Sequence, residues 1–360
     1  MIMNKKTILT MLLLVLTLGA TAQVKAEVSE PVELMGVLSR VAGYHDYSNN
    51  LTGDYSKDTE EWFAPFKDHP TVTYYQRLPQ YGIGYEKVAN MGVHLEIKKG
   101  KIKLVGDKAE LTGGWQHVDL KDFVKRLNKF YKDTRFHEFF EQHQAFYAEG
   151  AKYLEKAFLA GFHPEWYTRF YYGREPIEKF RFIVSFTNGG INYGVWRQLP
   201  RQPREVINVA AYILHPLKGR PMADQSLLLH EFNHPFVNPI LDDAKNAALL
   251  KDVGEKLLQL SAETMYNSWD IVINESVVRA AVIICMQDNN YDAQMIDKCI
   301  SVEIQKYGFP WIRELVDALR YYSSHRDQYP TLNDFYPEIN KCLNKYLADR
   351  QQSANPSQGR

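Results

Sequence analysis

The chain has 360 residues, 45% of them hydrophobic, and its 43 Lys and Arg balance its 43 Asp and Glu. That length and apolar content build a substantial core and exclude intrinsic disorder. Zero net charge, with no basic run interleaved with aromatics, argues against a nucleic-acid groove or a polybasic membrane patch.

At the N-terminus, Lys5 and Lys6 precede the apolar run Ile8 to Leu18 and the small residues Ala20-Thr21-Ala22, the order of a secretory signal peptide. The run is too short for a bilayer span of about 20 residues, so the expected segment is a signal peptide over 1–22, cut after Ala22 or, as second choice, Ala26. No Cys lies near either position to carry a lipid. The expected location is therefore periplasmic or secreted, with no stable membrane span after cleavage.

A mixed α/β region is expected over 23–115. In it Val93, Leu95 and Ile97 alternate, Lys98 to Lys101 turn around Gly100, and Ile102 and Leu104 alternate again, which predicts a β-hairpin. From Asp119 the period changes. Leu120, Phe123, Val124, Leu127 and Phe130, then Phe136, Phe139, Phe140, Phe146, Tyr147 and Leu154, predict two successive amphipathic helices whose aromatic stripe is core. Phe180 to Phe186, Ile191 to Trp196 and Val206 to Leu214 read as strands, with a turn at Asn188-Gly189-Gly190. Helices follow: one leading into His230, then Ile271 to Met286, Ala293 to Lys306, Trp311 to Tyr322 and Asp334 to Leu347. The polar tail 351–360 is expected to be disordered. Of three cysteines, Cys285 sits in an apolar run and reads as core; with Cys299 and Cys342 the count is odd, and none has Cys-x-x-Cys spacing.

Leu227-Leu228-Leu229-His230-Glu231-Phe232-Asn233-His234 contains H-E-x-x-H on an apolar helix. Positions four apart share a helix face, so both imidazoles can reach one Zn²⁺, and Glu231 can take a proton from water there. Burying two histidines and a carboxylate is costly without a partner, and a metal is the economical one. The metzincin extension would need Gly and His where Val237 and Ile240 stand, so that subclass is excluded. A third ligand from a second helix fits better, and Glu275 among Ile271, Val272, Val278 and Val282 is the candidate, with Arg279 four residues on as its support. Asp242, Asp243, Glu263 and Asp270 are reserves, the first two also reading as a solvated helix start. Among Tyr321, Tyr322, His325 and Tyr329, beyond the third ligand, Tyr329 is taken as oxyanion donor. Gly190 to Trp196 is the candidate strand for an extended substrate, and equally one arm of a core hairpin.

Glu33-Leu34-Met35-Gly36-Val37-Leu38-Ser39-Arg40, Phe66-Lys67-Asp68-His69-Pro70, the His230 to His234 motif and Asn274-Glu275 resemble an uncharacterised family of exported bacterial proteins, a domain of unknown function with a zincin-like H-E-x-x-H of gluzincin type. The resemblance spans most of the mature chain and implies one unit, with 116–350 as the metallohydrolase region, and a metallopeptidase without a named substrate. His69 reads as a helix-start or packing residue.

The expectation is therefore an α+β, zincin-like fold, a small sheet beside a mostly helical body. Function is expected to be zinc-dependent hydrolysis of a peptide or protein, with Zn²⁺ on His230, His234 and Glu275 and Glu231 as general base. The alternative is an inactive exported protein that binds peptides or glycans and keeps a structural or vestigial metal site.

Overall fold

A computed structural model describes residues 24–354 apart from 112, 176 and 261–265; the expected signal peptide and Glu263 lie outside these. The run rich in β-branched and aromatic residues after 178 forms β4 (Lys179–Ser185), which pairs in parallel with β6 (Glu205–Ala211). A short β1 (Ala26–Glu27) adds in parallel to β4, and β5 (Tyr193–Arg197) lies antiparallel on β6, giving the order β1-β4-β6-β5. Asn188-Gly189-Gly190 therefore closes no hairpin between β4 and β5, because β6 lies between them. Instead it carries the chain across to the outer edge. All seven residues of β6 are buried, which is why its sequence reads as an apolar run rather than an alternation.

Two small ribbons accompany this sheet: β2 (Leu95–Lys98) with β3 (Lys101–Leu104), the expected hairpin, and β7 (Ile213–Leu214) with β8 (Pro221–Met222). Lys99 and Gly100, both at positive φ, make the tight turn of the first. Val93, expected on its first strand, ends a helix instead.

The helices before the sheet are α1 (Glu30–Val41), α2 (Asp54–Phe63), α3 (Pro70–Tyr75), α4 (Glu86–Val93), α5 (Leu120–Asp133), α6 (Phe136–Gln142), α7 (Gln144–Phe158) and α8 (Pro164–Tyr172). After it come α9 (Gln225–Leu241), α10 (Ala244–Leu260), α11 (Trp269–Asp288), α12 (Ala293–Gln305), α13 (Ile312–Ser324) and α14 (Leu332–Ala354). The single helix expected from Phe136 to Leu154 is broken at His143, whose backbone leaves the helical region and whose ring Nδ1 bonds the Phe139 carbonyl. The expected disorder from Gln351 is corrected as far as Ala354, where α14 continues; good helix formers run on past Leu347 and the first breaker is Pro356.

Alternation along the strands assigns the two faces of the sheet. Phe180 and Phe182 meet Phe232 of α9, and Asn208 donates to the Leu228 carbonyl, so α9 covers one face. Ser185, one position out of phase, donates to Glu33 of α1 on the other. On its far side α9 packs against α11, which is buried from Val272 to Met286 except at Asn274. A helix apolar all round belongs at the centre of a helical body, and α10, α12 and α13 surround it. The metal-motif helix thus joins sheet to helical body. Among the described residues no helix is long and apolar enough to cross a membrane.

Candidate functional site

The Asp224 side chain starts α9 by accepting from the Ser226 and Leu227 backbone N–H groups. Inside the helix stand Pro235 and Pro239, each removing the N–H that would bond the carbonyl four residues earlier. The Pro235 carbonyl, freed by Pro239, is taken by the Arg204 guanidinium at 2.7 Å. The Glu231 carbonyl, freed by Pro235, faces Gly194 of β5 so closely that a Cβ there would lie 1.8 Å from its oxygen and 3.2 Å from the His234 Cβ. Only glycine admits this approach. The outer strand and the motif helix are therefore in backbone contact where the chemistry sits.

His230 and His234 turn their Nε2 atoms toward each other at 3.0 Å. Glu275, from the middle of α11, brings Oε2 to 3.5 Å from His230 Nε2 and Oε1 to 3.5 Å from His234 Nε2. Two donors on one tetrahedral zinc at about 2.0–2.1 Å stand about 3.3–3.4 Å apart, so these three separations match the edges of a coordination triangle. The donor set, two imidazoles and a carboxylate, is one that catalytic zinc sites use. Glu231 is the fourth member: one ligand atom from each of His230, Glu231 and His234 lies within 4.8 Å of the others. Glu275 suits a third ligand position better than Glu231, because it faces both imidazoles and is held from behind.

That hold is specific. Oε2 of Glu275 accepts from Arg279 Nη2 at 2.9 Å and from the Tyr266 hydroxyl at 2.9 Å, and Arg279 also bonds the Tyr266 oxygen at 2.9 Å. Arg279 pairs on its other side with Glu303 of α12 and lies against the Tyr307 and Phe309 rings, 4.6 and 4.7 Å from their centroids. His234 Nδ1 meets Asn238 Oδ1 at 3.1 Å; if the ring donates there, Nε2 keeps its lone pair for a metal.

The electrostatics follow from burial. Desolvation, more than any neighbour, lowers His230 to about 4, so its ring is neutral at physiological pH, as a ligand must be. Burial pushes Glu275 up, but His230, His234 and Arg279 outweigh it and hold the carboxylate well below its usual range. Because His230 is itself neutral above about pH 4, Arg279 is the cation that keeps Glu275 ionised at neutral pH. Glu231 is raised well above the ordinary carboxylate range, by burial first and by Glu275 next, with the Gly194 backbone N–H opposing. A divalent cation beside it would pull it back down.

The structure thus brings His230, Glu231, His234 and Glu275 together, with Arg279 in the expected supporting place. Tyr329 is not with them: it packs on Tyr321 and Phe335, and its backbone N–H bonds the His325 carbonyl. Position after the third ligand in sequence does not return the chain to the site, because α13 leads away along the helical body. The tyrosine at the site is Tyr266, ahead of Glu275. Asp242 ends α9, Asp243 caps α10 through the Lys245 and Asn246 N–H groups, and Asp270 accepts from Ser268, so none joins the cluster. His69 caps α3 through Thr71 N–H, as a helix-start residue. Missed from sequence were Tyr266, Glu303 and Gly194, whose contacts are long-range or cross an unpatterned segment. Asn238 carried a usable signal, its i+4 spacing from His234.

Fold and site define a mixed α+β protein, mostly helical, with a two-histidine, two-glutamate cluster where its sheet meets its helical body. The chain belongs to the family described as domain of unknown function (DUF4932), which matches residues 23–342 and so takes in the sheet and both site helices. Neither a curated protein nor a solved structure matches it.

Proposed function

We propose that the chain is an exported, zinc-dependent hydrolase of zincin-like architecture that cleaves peptide or protein substrates. The observation that carries this is the convergence of His230, His234 and Glu275 on one point, with Glu231 beside it and the Glu275 carboxylate anchored by Arg279 and Tyr266. Zinc at such a site supplies Lewis acidity, lowering the pKa of a water from about 15.7 toward about 7 and polarising a carbonyl. Glu231 would accept the proton that water loses and return it to the leaving amine, a role that its partial exposure beside both imidazoles permits. β5 is the outer strand of the sheet and touches α9 at Gly194, so an extended peptide paired along it would pass Glu231. The Tyr266 hydroxyl, already engaged with Glu275, would orient that ligand rather than stabilise an oxyanion.

The test is metal content by plasma mass spectrometry on the purified mature protein, with His230→Ala and Glu275→Ala beside it. A peptide-library cleavage screen with Glu231→Gln as control follows. The expected result is about one zinc per chain, lost in both alanine variants, and cleavage abolished by Glu231→Gln. Zinc bound without any cleavage would instead support the peptide- or glycan-binding alternative, and no zinc after reconstitution would sink the metal site itself.

A further inference from the structure

Beside the cluster lies a cavity of about 740 Å³ that the hydrolytic residues do not use. Its walls come from four places: Leu154 of α7, Ile213 and Met222 of the β7–β8 ribbon, Leu227 and Leu228 of α9, and Asn192 just ahead of β5. Leu227 stands one turn before Glu231 on the same face of α9, and Asn192 is two residues from the Gly194 that touches the Glu231 carbonyl. The cavity therefore opens where a substrate lying along β5 would project a side chain as it passes Glu231.

The lining tells which side chain. Five of the named walls are Leu, Ile or Met, joined by Ala211, Pro221 and Ala223; of the other polar lining groups, Arg220 is solvent-exposed and His215 Nδ1 already accepts from the Leu217 N–H. Asp224, the one acid among the lining residues, is occupied capping α9, and the Asn192 carbonyl oxygen already accepts from the Ala211 N–H. Tyr153 ties its hydroxyl to the Pro221 carbonyl at 3.0 Å, fixing the ribbon over α7 and holding the walls apart. An open pocket of this size with a largely apolar lining leaves aliphatic surface in contact with water. Such a cost is expected where a ligand fills the space.

We infer that this cavity is the specificity pocket of the site and takes a large apolar side chain, such as Leu, Met or Phe, of the substrate residue next to the bond that is cut. The inference rests on the hydrolase reading for the word substrate, but pocket and chemistry can be tested apart. Met222→Trp fills the cavity from its half-exposed wall, and Ile213→Ala widens it; equal far-UV circular dichroism establishes that both variants fold. In the cleavage screen the wild type is expected to prefer Leu, Met or Phe beside the scissile bond. Met222→Trp should lower the ratio of kcat/KM for those peptides over Ala-containing ones at least 10-fold, and Ile213→Ala should shift the preference toward Phe. A wild type with no preference for apolar residues, or a ratio unmoved in folded Met222→Trp, overturns the inference. If the wild type cuts nothing, the hydrolase reading fails and the pocket is judged by binding alone. N-acetyl-phenylalaninamide titrated by NMR should then bind the full mature chain more tightly than N-acetyl-glycinamide, with the difference lost in Met222→Trp; equal binding of both probes overturns the pocket too.

Discussion

Replacing Glu33 with Gln should remove a pH-dependent weakness at the other face of the sheet. Glu33 is fully buried in α1 and accepts three hydrogen bonds: from Ser185 Oγ at 2.7 Å, the Phe186 N–H at 2.9 Å and the Tyr55 hydroxyl at 3.1 Å. Its hydrogen-bond partners include no cation. Burial outweighs these bonds and raises its pKa from 4.5 to about 7. The sign follows from proton counting. Between about pH 4.5 and 7 the folded chain holds a proton on Glu33 that the unfolded chain has released, so unfolding free energy falls as pH rises, by about 1.4 kcal/mol per unit. Across the window the loss is about 3 kcal/mol, fully absent below pH 4.5 and complete above pH 7. Glutamine can keep its carbonyl on Ser185 and Phe186 and turn its amide to the Tyr55 oxygen, with Tyr55 passing its proton to Tyr147 at 2.8 Å. Urea denaturation of wild type and Glu33→Gln at matched pH from 4 to 8 gives a difference in which other titrating groups cancel. That difference should move in favour of the glutamine chain by about 3 kcal/mol from low to high pH. A difference flat to within about 0.5 kcal/mol would refute the reasoning, since Glu33 would then not be the group that titrates.

Arg279→Met should weaken zinc binding about 10–100-fold in a chelator competition assay, because Glu275 loses the cation that keeps it ionised; unchanged affinity would remove Arg279 from the site's support. Gly194→Ala should cost about 1–3 kcal/mol in urea denaturation, since its Cβ would enter the Glu231 carbonyl, and a stability equal to wild type would mean that β5 and α9 are not in backbone contact. Tyr266→Phe should reduce zinc affinity while Tyr329→Phe leaves it within about 2-fold; the reverse order would restore the sequence-based choice.

The strands and most helices were legible because their signals are local. The hairpin over 95–104, β4, the motif helix and the run from Ile271 to Met286 each announce themselves by period or apolar content. Connectivity was not. Nothing in Asn188-Gly189-Gly190 distinguishes a turn that closes a hairpin from one that hands the chain to the far edge of the sheet. The difference lies in whether a later segment, Glu205 to Ala211, inserts between the two strands.

The same division runs through the site. H-E-x-x-H is legible because two histidines and a glutamate fall within one turn of one helix, and Glu275 was reachable because a carboxylate in an apolar helix must be compensated. Its compensation was only half visible: Arg279 at i+4 could be named, whereas Glu303 and Tyr266 reach it from other segments, and both are needed. An arginine at this depth carries a full charge, and one carboxylate already shared with two imidazoles does not satisfy its five donors. Glu303 and the faces of Tyr307 and Phe309 add to the shell, although Arg279 Nε still has no partner among the described residues, and tie Glu275 to α12 and the loop after it. Removing Glu303 alone should therefore disturb Glu275, although Glu303 does not touch it, because an arginine left with only Glu275 and the Tyr266 hydroxyl keeps buried donors that will seek water and take the carboxylate's support with them.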